Sequence, residues 1–423
     1  MRLSAYTVDR RPLAVAPYRR LWTASVIGAV GGSFSVVAVP AQLYAVTGSS
    51  ATVGTAAAVS FVALVAAALW TGAAADVRDR RRVLLAAYAG LALTYTGLWA
   101  QAVLGGRSVP VLLVLVACQG LTFGSIMTAM GAAVPRLVPR ELLAAANSLS
   151  ALVRYTGAIL GPVLAGVLIP VTGLAALYLC DAVALLAVLV AVFRLPPLPP
   201  AGRRGGSTVA QLLTGFRHLA ASRLLVAVLA VDLAAMVFAM PTALFPELAR
   251  HTYGGPAGGG TELGLLYGAY PAGVFAAGLL SGAFTRARRH GALMAAAAGV
   301  WGITVVGLGL ASTLPLALTA LFLGGAVNFV LSTFRNAITQ AHTDDALRGR
   351  IQGSLTVVLI GGPQLANLLH GTAASAFGPR PVICAGGLLT AAAVAALVRA
   401  VPELRRYDAG SGMSHPPTTT PSA

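Results

Sequence analysis

The chain has 423 residues, 57% of them apolar and only 10% charged, whereas a soluble domain runs near a quarter charged, so a large soluble enzyme is disfavoured. Its net charge of +17 comes from 29 arginines and no lysine, and its only cysteines, Cys118, Cys180 and Cys384, each lie inside an apolar run. That excludes a disulfide scaffold, and the stretches around the arginines lack the interleaved aromatics of a single-strand nucleic-acid surface.

A membrane pass takes about 20 mostly apolar residues, so about 240 apolar residues suffice for roughly 12 passes with short loops. In chain order the apolar runs fall at 21–46, 53–75, 83–104, 109–134, 142–169 and 174–193. A polar, Pro/Gly-rich segment follows at 194–223. The second set lies at 224–248, 263–285, 293–311, 314–340, 347–377 and 381–401. The N-terminus carries Arg2, Asp9, Arg10 and Arg11, but the first run is a full pass with no small-residue cleavage pattern behind it. No cleavable signal peptide is expected.

The arginines orient these passes. Twenty-four fall in the N-terminus, the even-to-odd loops and the C-terminus, and three (Arg107, Arg250, Arg380) fall in the opposite loops. Arg154 and Arg335 lie inside passes. The positive-inside rule then puts both termini and the central loop in the cytoplasm, which requires an even number of passes.

The chain also repeats itself. Arg20-Leu21 matches Arg223-Leu224, Pro40 matches Pro241, and Gly54 matches Gly264. Gly72 matches Gly282, Pro110 and Gly120 match Pro315 and Gly325, and Gly161-Pro162 matches Gly362-Pro363, at offsets between 201 and 210 residues. Two parallel six-helix halves are the expectation, an architecture of secondary transporters with a midplane site. The expected division is 1–193 and 224–407 for the two bundles, 194–223 for the central loop and 408–423 for a disordered tail.

The loop after the second pass reads Gly72-Ala-Ala-Ala-Asp76-Val-Arg78-Asp79-Arg80-Arg81-Arg82. It resembles the signature loop of the major facilitator superfamily through Gly72, Asp76 and Arg80. Val77 and Asp79 depart from the usual Arg and Gly. Gly72 permits close helix approach, Asp76 suits a facing helix N-terminus, and Arg80 and Arg81 can pair across the seam between halves as a cytoplasmic latch. A plain positive-inside cluster is the simpler alternative.

The fifth pass carries Gly157, Gly161, Pro162 and Gly166, similar to the Gly-rich motif of antiporters in that superfamily, with Ala165 in place of one Gly. Ordinary tight packing of small residues is the alternative. The fourth pass has the superfamily's Gln119-Gly120, but Val116 stands where the motif places an Arg linked to proton coupling.

Few charges remain inside the passes. Arg154 lies about 18 Å into the fifth at 1.5 Å per residue; Asp232 lies near mid-depth in the seventh, Asp181 in the outer half of the sixth, and Glu247 at the outer end of the seventh. Ionisable residues at such depth are functional candidates. A carboxylate balanced between desolvation and a nearby arginine can load and release a proton, so Asp232, Asp181, Arg154 and Arg335 are the proton and substrate candidates, with static ion pairing as the alternative. His342 and His370 are weaker candidates. Met236, Tyr267 and Tyr270 suit a cavity wall, although helix packing explains any one of them equally.

No phosphate loop, nucleophile triad or metal-ligand spacing is present, so neither a cofactor nor an enzyme activity is expected. Stretches at 37–40, 76–83, 211–222, 263–273 and 347–353 extend the likeness to the enterobactin-exporter branch of the superfamily. That resemblance implies a plasma-membrane exporter of a siderophore-like small molecule, working by alternating access and proton antiport. A multidrug or natural-product efflux transporter is the alternative, followed by an importer or a non-transporting receptor. The implied partners are a small-molecule cargo, the lipid bilayer and protons, with no nucleic acid, and the implied state is a monomer.

Overall fold

A computed structural model describes residues 9–199, 208–284, 287–343 and 348–408. All its regular elements are helices: α1 (Ala16–Gly31), α2 (Ser35–Thr47), α3 (Ser50–Val77), α4 (Arg80–Val103), α5 (Val109–Leu137), α6 (Leu143–Phe193), α7 (Thr208–Ala221), α8 (Arg223–Phe238), α9 (Phe245–His251), α10 (Thr261–Leu279), α11 (His290–Leu310), α12 (Leu314–Ala341), α13 (Arg348–Phe377), α14 (Pro379–Ala400) and α15 (Pro402–Arg406), with short 3-10 turns between.

Nine helical stretches among the described residues are long and apolar enough to cross a membrane. One of them, α6, has 51 residues and reverses at Gly173, whose φ of 74° lies where glycine has no steric penalty. Divided there, and with α10 and α13 added, the described helices are consistent with the twelve expected passes. Outward-facing apolar side chains such as Val62, Leu93, Val171, Ile303 and Phe377 are more than 60% exposed, as side chains against lipid must be.

Two expected passes are interrupted. The first is split between α1 and α2 at Gly32-Ser33-Phe34, and the seventh between α8 and α9 at Ala239-Met240-Pro241 with a 3-10 turn after it. In the seventh, Pro241 lacks the N–H that would continue the ladder. In the first, Pro40 is accommodated inside α2, and the break falls instead at the Gly31-Gly32 pair. The central segment also holds more order than its polar composition suggests. Helix α7 occupies part of it and buries Leu219 against Leu225, Ile351 and Leu355. Residues 200–207 of that segment and 409–423 of the tail lie outside the described residues.

By the alternation of the helices, the described parts of the arginine-rich loops lie at one end of the bundle, the basic face; the turns at Gly48, Gly105, Gly173 and Gly378 mark the opposite face. The two halves meet through α3 with α13 and through the first arm of α6 with α10. Their closest approaches lie toward the opposite face and obey the internal repeat. A Cβ on Gly54 would strike the Asn367 carbonyl, and one on Gly264 would come within 2.5 Å of the Pro162 carbonyl and 2.7 Å of the Gly166 Cα. The same end carries a hydrogen bond from Ser50 Oγ to Glu247 Oε2 at 2.5 Å and an edge-on Tyr44–His251 ring pair.

Candidate functional site

The break in the first pass is held by a fully buried carboxylate. Ending α1 at Gly31 and restarting at Ser35 frees backbone N–H groups at the new helix start, which need acceptors. Asp181, on the second arm of α6 and fully buried, supplies them: Oδ1 accepts from Phe34 N at 3.2 Å and Oδ2 from Ser35 N at 2.8 Å. Ser35 Oγ donates to Oδ2 as well. A carboxylate at a helix N-terminus also meets the positive end of the helix dipole. Asp181, expected as a proton candidate, is thus the cap of a broken helix.

Nearby lies a buried polar chain that the motifs of the sequence do not announce. Tyr178 OH donates to Gln42 Oε1, Gln42 Nε2 to Gln101 Oε1, and Gln101 Nε2 to the Gly106 carbonyl, each at 2.7 Å. Gln119 Nε2 donates to Tyr95 OH at 3.3 Å. Buried amides must be paired, so glutamines within apolar runs were the available signal.

The second half places its charges differently. Arg335 Nη1 on α12 donates to both carboxylate oxygens of Asp232 on α8, at 2.8 and 2.9 Å, and both side chains are buried. Arg335 Nη2 and Nε reach Asn336 Oδ1 at 3.2 and 3.3 Å. Two candidates that sequence could not pair are brought together as an ion pair. The break in the seventh pass is capped by a neutral side chain: Asn367 Oδ1 accepts from Thr242 Oγ1 at 2.6 Å and from Ala243 N at 2.9 Å. His370 is buried, with Nε2 3.1 Å from the Phe238 carbonyl and Nδ1 2.9 Å from the Ala366 carbonyl. His342 is exposed, next to the Tyr407 ring.

The candidates for a cavity wall are occupied in packing within the second half. Tyr267 donates to the Thr242 carbonyl at 3.1 Å and meets Phe245 edge-on. Tyr270 meets Trp301 edge-on at 5.1 Å. Met236 lies against Gly362, as Ser33 lies against the repeat-related Gly161. Beside the seam are two apolar recesses, of about 400 Å³ at Ile159, Gly268 and Phe322 and about 330 Å³ at Phe61, Leu233 and Gly361.

The surroundings of Gly72 and the side chain of Asp76 lie outside what is described. In the remainder of that loop Asp79 caps α4, its Oδ1 accepting from Arg81 N at 2.9 Å and from Leu198 N at 3.1 Å. Arg80 is buried, and its backbone N–H donates to the Leu198 carbonyl. Arg81 Nη2 donates to the Phe193 carbonyl with the guanidinium 5.3 Å from the Phe193 ring centre, and Arg136 reaches the Pro199 carbonyl at 2.7 Å. These bonds bind residues 193–199 to their own half; among the described residues the expected pairing of Arg81 across the seam is absent.

The glycine motif of the fifth pass has two duties. Gly157 and Gly161 receive Ala29 and Ser33 of the first pass, while Pro162 and Gly166 face Gly264 and Gly260 of the other half. One and two turns nearer the basic face are Ala158 and Arg154. Arg154 is exposed and its guanidinium lies 5.7 Å from the Tyr155 ring centre. The Tyr155 ring is 6.5 Å from Phe275 of the other half.

This architecture has close parallels. Curated relatives include the enterobactin exporter EntS of Shigella boydii serotype 18, 29% identical over 92% of this chain and 93% of its own length, and that of Citrobacter koseri, 28% identical with the same coverage. Among solved structures, the nucleoside transporter NupG superposes with a TM-score of 0.73 at 12% identity, over 93% of this chain and 100% of its own. A bacterial homologue of ferroportin in an inward-facing state superposes at 0.65 with 17% identity, over 92% of this chain and 98% of its own. The model of the transmembrane secretion effector family (MFS_3) matches residues 8–420. The chain is therefore a multi-pass membrane transporter belonging to the transmembrane secretion effector family of the major facilitator superfamily.

Proposed function

We propose that this transporter exports a small organic molecule of siderophore-like character out of the cytoplasm by alternating access. The observation that carries the reading is the asymmetry of the seam. Its glycine contacts, Gly54 with Asn367 and Gly264 with Pro162 and Gly166, gather toward the opposite face, while Arg154 stays exposed near mid-depth. With the basic face in the cytoplasm, as the positive-inside rule favours, this is a seam shut to the outside and open to the inside. Both termini are then cytoplasmic. The halves at 1–193 and 224–407 rock about the seam, with 194–223 as the tether. Similarity to the enterobactin exporters over nearly the whole chain supports export and suggests the cargo.

Proton antiport is the proposed coupling, and a monomer the proposed working unit, since each chain contains both halves of a seam. The glycine motif of the fifth pass supports antiport. The structure engages Asp181 and Asp232 in a helix cap and an ion pair, so a proton must displace one of these bonds to load. Inverted membrane vesicles holding the protein test this directly. They should accumulate a siderophore when their lumen is acidic and lose that accumulation when a protonophore collapses the gradient. Accumulation indifferent to the gradient would remove proton antiport, and uptake of none of a siderophore and drug panel would remove export.

A further inference from the structure

Three described carboxylates of the membrane-spanning part, Asp181, Asp232 and Glu247, are already engaged. Asp181 is bonded three times within the first half. Asp232 is held by Arg335, and Glu247 accepts from Ser50 at the opposite end of the seam. Arg154 has no carboxylate or hydrogen-bond acceptor beside it among the described residues, and the ring of Tyr155 is what its guanidinium lies against. An arginine cannot shed its charge, and an uncompensated cation about 16 Å into a helix, counted from Leu143 at 1.5 Å per residue, is costly.

The geometry of α6 decides which way this cation faces. At 100° per residue, Arg154 shares a face with Ala158, Gly161 and Ala165. Leu160, Leu164 and Val167, exposed where lipid would lie, occupy a different face. Gly161 receives Ser33 at the break in the first pass, so the face of Arg154 looks into the molecule. Tyr155, one step round the helix, points across the seam to Phe275. A guanidinium with no hydrogen-bond or ion-pair partner among the described residues therefore borders an aromatic pair, on the side of the seam that opens to the basic face.

We propose that Arg154, with the Tyr155 and Phe275 rings beside it, is the cargo-recognising cation of this transporter, and that the cargo class is an aromatic carboxylate. The guanidinium fork matches a carboxylate with two parallel N–H donors, and the flanking rings offer apolar faces to a planar body. The missing counter-charge arrives with the cargo. This rests on the seam being the cargo path, as proposed above.

The test uses the full-length protein in detergent and a matched pair of probes, tritiated 2-naphthoate and 2-naphthylmethylammonium, which share a ring system and differ in charge. The anion should bind saturably and the cation should not. Arg154→Gln should weaken anion binding about ten- to a hundredfold, the scale of a lost charge-assisted bond, while Arg154→Lys retains most of it. Size-exclusion profiles and melting temperatures of both variants show that folding is intact. Equal binding of both probes, no saturable binding of the anion, or unchanged affinity in Arg154→Gln would each overturn the assignment. The two readings fail separately. Vesicle export that is indifferent to Arg154→Gln sinks the anion site and leaves export standing, whereas Arg154-dependent binding without vesicle transport sinks export and leaves the site.

Discussion

The first and seventh passes are repeat-related, and both are broken, but the two breaks are stabilised by different chemistry. In the first, a buried carboxylate, Asp181, collects three donors from the restarted helix. In the seventh, a neutral amide, Asn367, collects two, and the half's carboxylate sits elsewhere, paired with Arg335. The scaffold is symmetric in its glycine contacts and asymmetric in its charge. Backbone groups freed by a break must find acceptors whatever the sequence, but which acceptor is used is open to change. The first half ties its break to an ionisable side chain, and the second separates that duty from its carboxylate.

The largest effect should come from separating Asp232 and Arg335. Arg335→Met leaves a buried carboxylate without its partner, expected to cost about 3–5 kcal/mol. It should lower the melting temperature in detergent more than the removal of either helix cap. The double variant Asp232→Leu, Arg335→Met should recover most of that loss. A double variant as unstable as the single would mean the pair is more than a matched charge.

Next is the carboxyl cap. Asp181→Ala leaves two backbone N–H groups and a hydroxyl unsatisfied in the interior, a loss of about 2–3 kcal/mol. Asp181→Asn keeps an acceptor oxygen and should cost about half as much. If Asp181→Asn preserves thermal stability yet abolishes gradient-driven transport in vesicles, the residue is a proton carrier and the structural reading of the break is wrong.

The smallest effect belongs to the neutral cap. Asn367→Ala should cost about 1 kcal/mol, the usual penalty for losing a helix cap. A melting-temperature drop as large as that of Asp181→Ala would erase the distinction between the two breaks.

Much of this molecule could be read from its sequence. Apolar runs and arginine placement supplied the passes and the basic face, and offsets between 201 and 210 residues supplied the repeat. The pairs Gly54/Gly264 and Gly161/Gly362 were visible as repeats, though what each glycine touches was not. The break at Gly32 was hidden because Gly31-Gly32 in an apolar run reads equally as a packing surface. Helix α7 was hidden because its apolar face is completed by Ile351 and Leu355 as well as the adjoining Leu225, and the first two lie more than a hundred residues away in the chain. The polar chain of Tyr178, Gln42 and Gln101 was hidden for the same reason: each member is isolated in sequence and becomes a network only on folding.

The sequence by itself determined that the chain spans a membrane, how many times, with which loops on one side, and in two related halves. Hydropathy and charge act residue by residue along the chain, so those conclusions need no tertiary contact. Only the tertiary structure decided the fate of the few buried charges. Asp181 became a cap because α1 stops beside it, Asp232 found Arg335 because α8 lies against α12, and Arg154 was left with an aromatic ring but no hydrogen-bond or ion-pair partner among the described residues. A charge inside a membrane is defined by what stands within a few ångströms of it, and that neighbourhood is set by packing between distant helices.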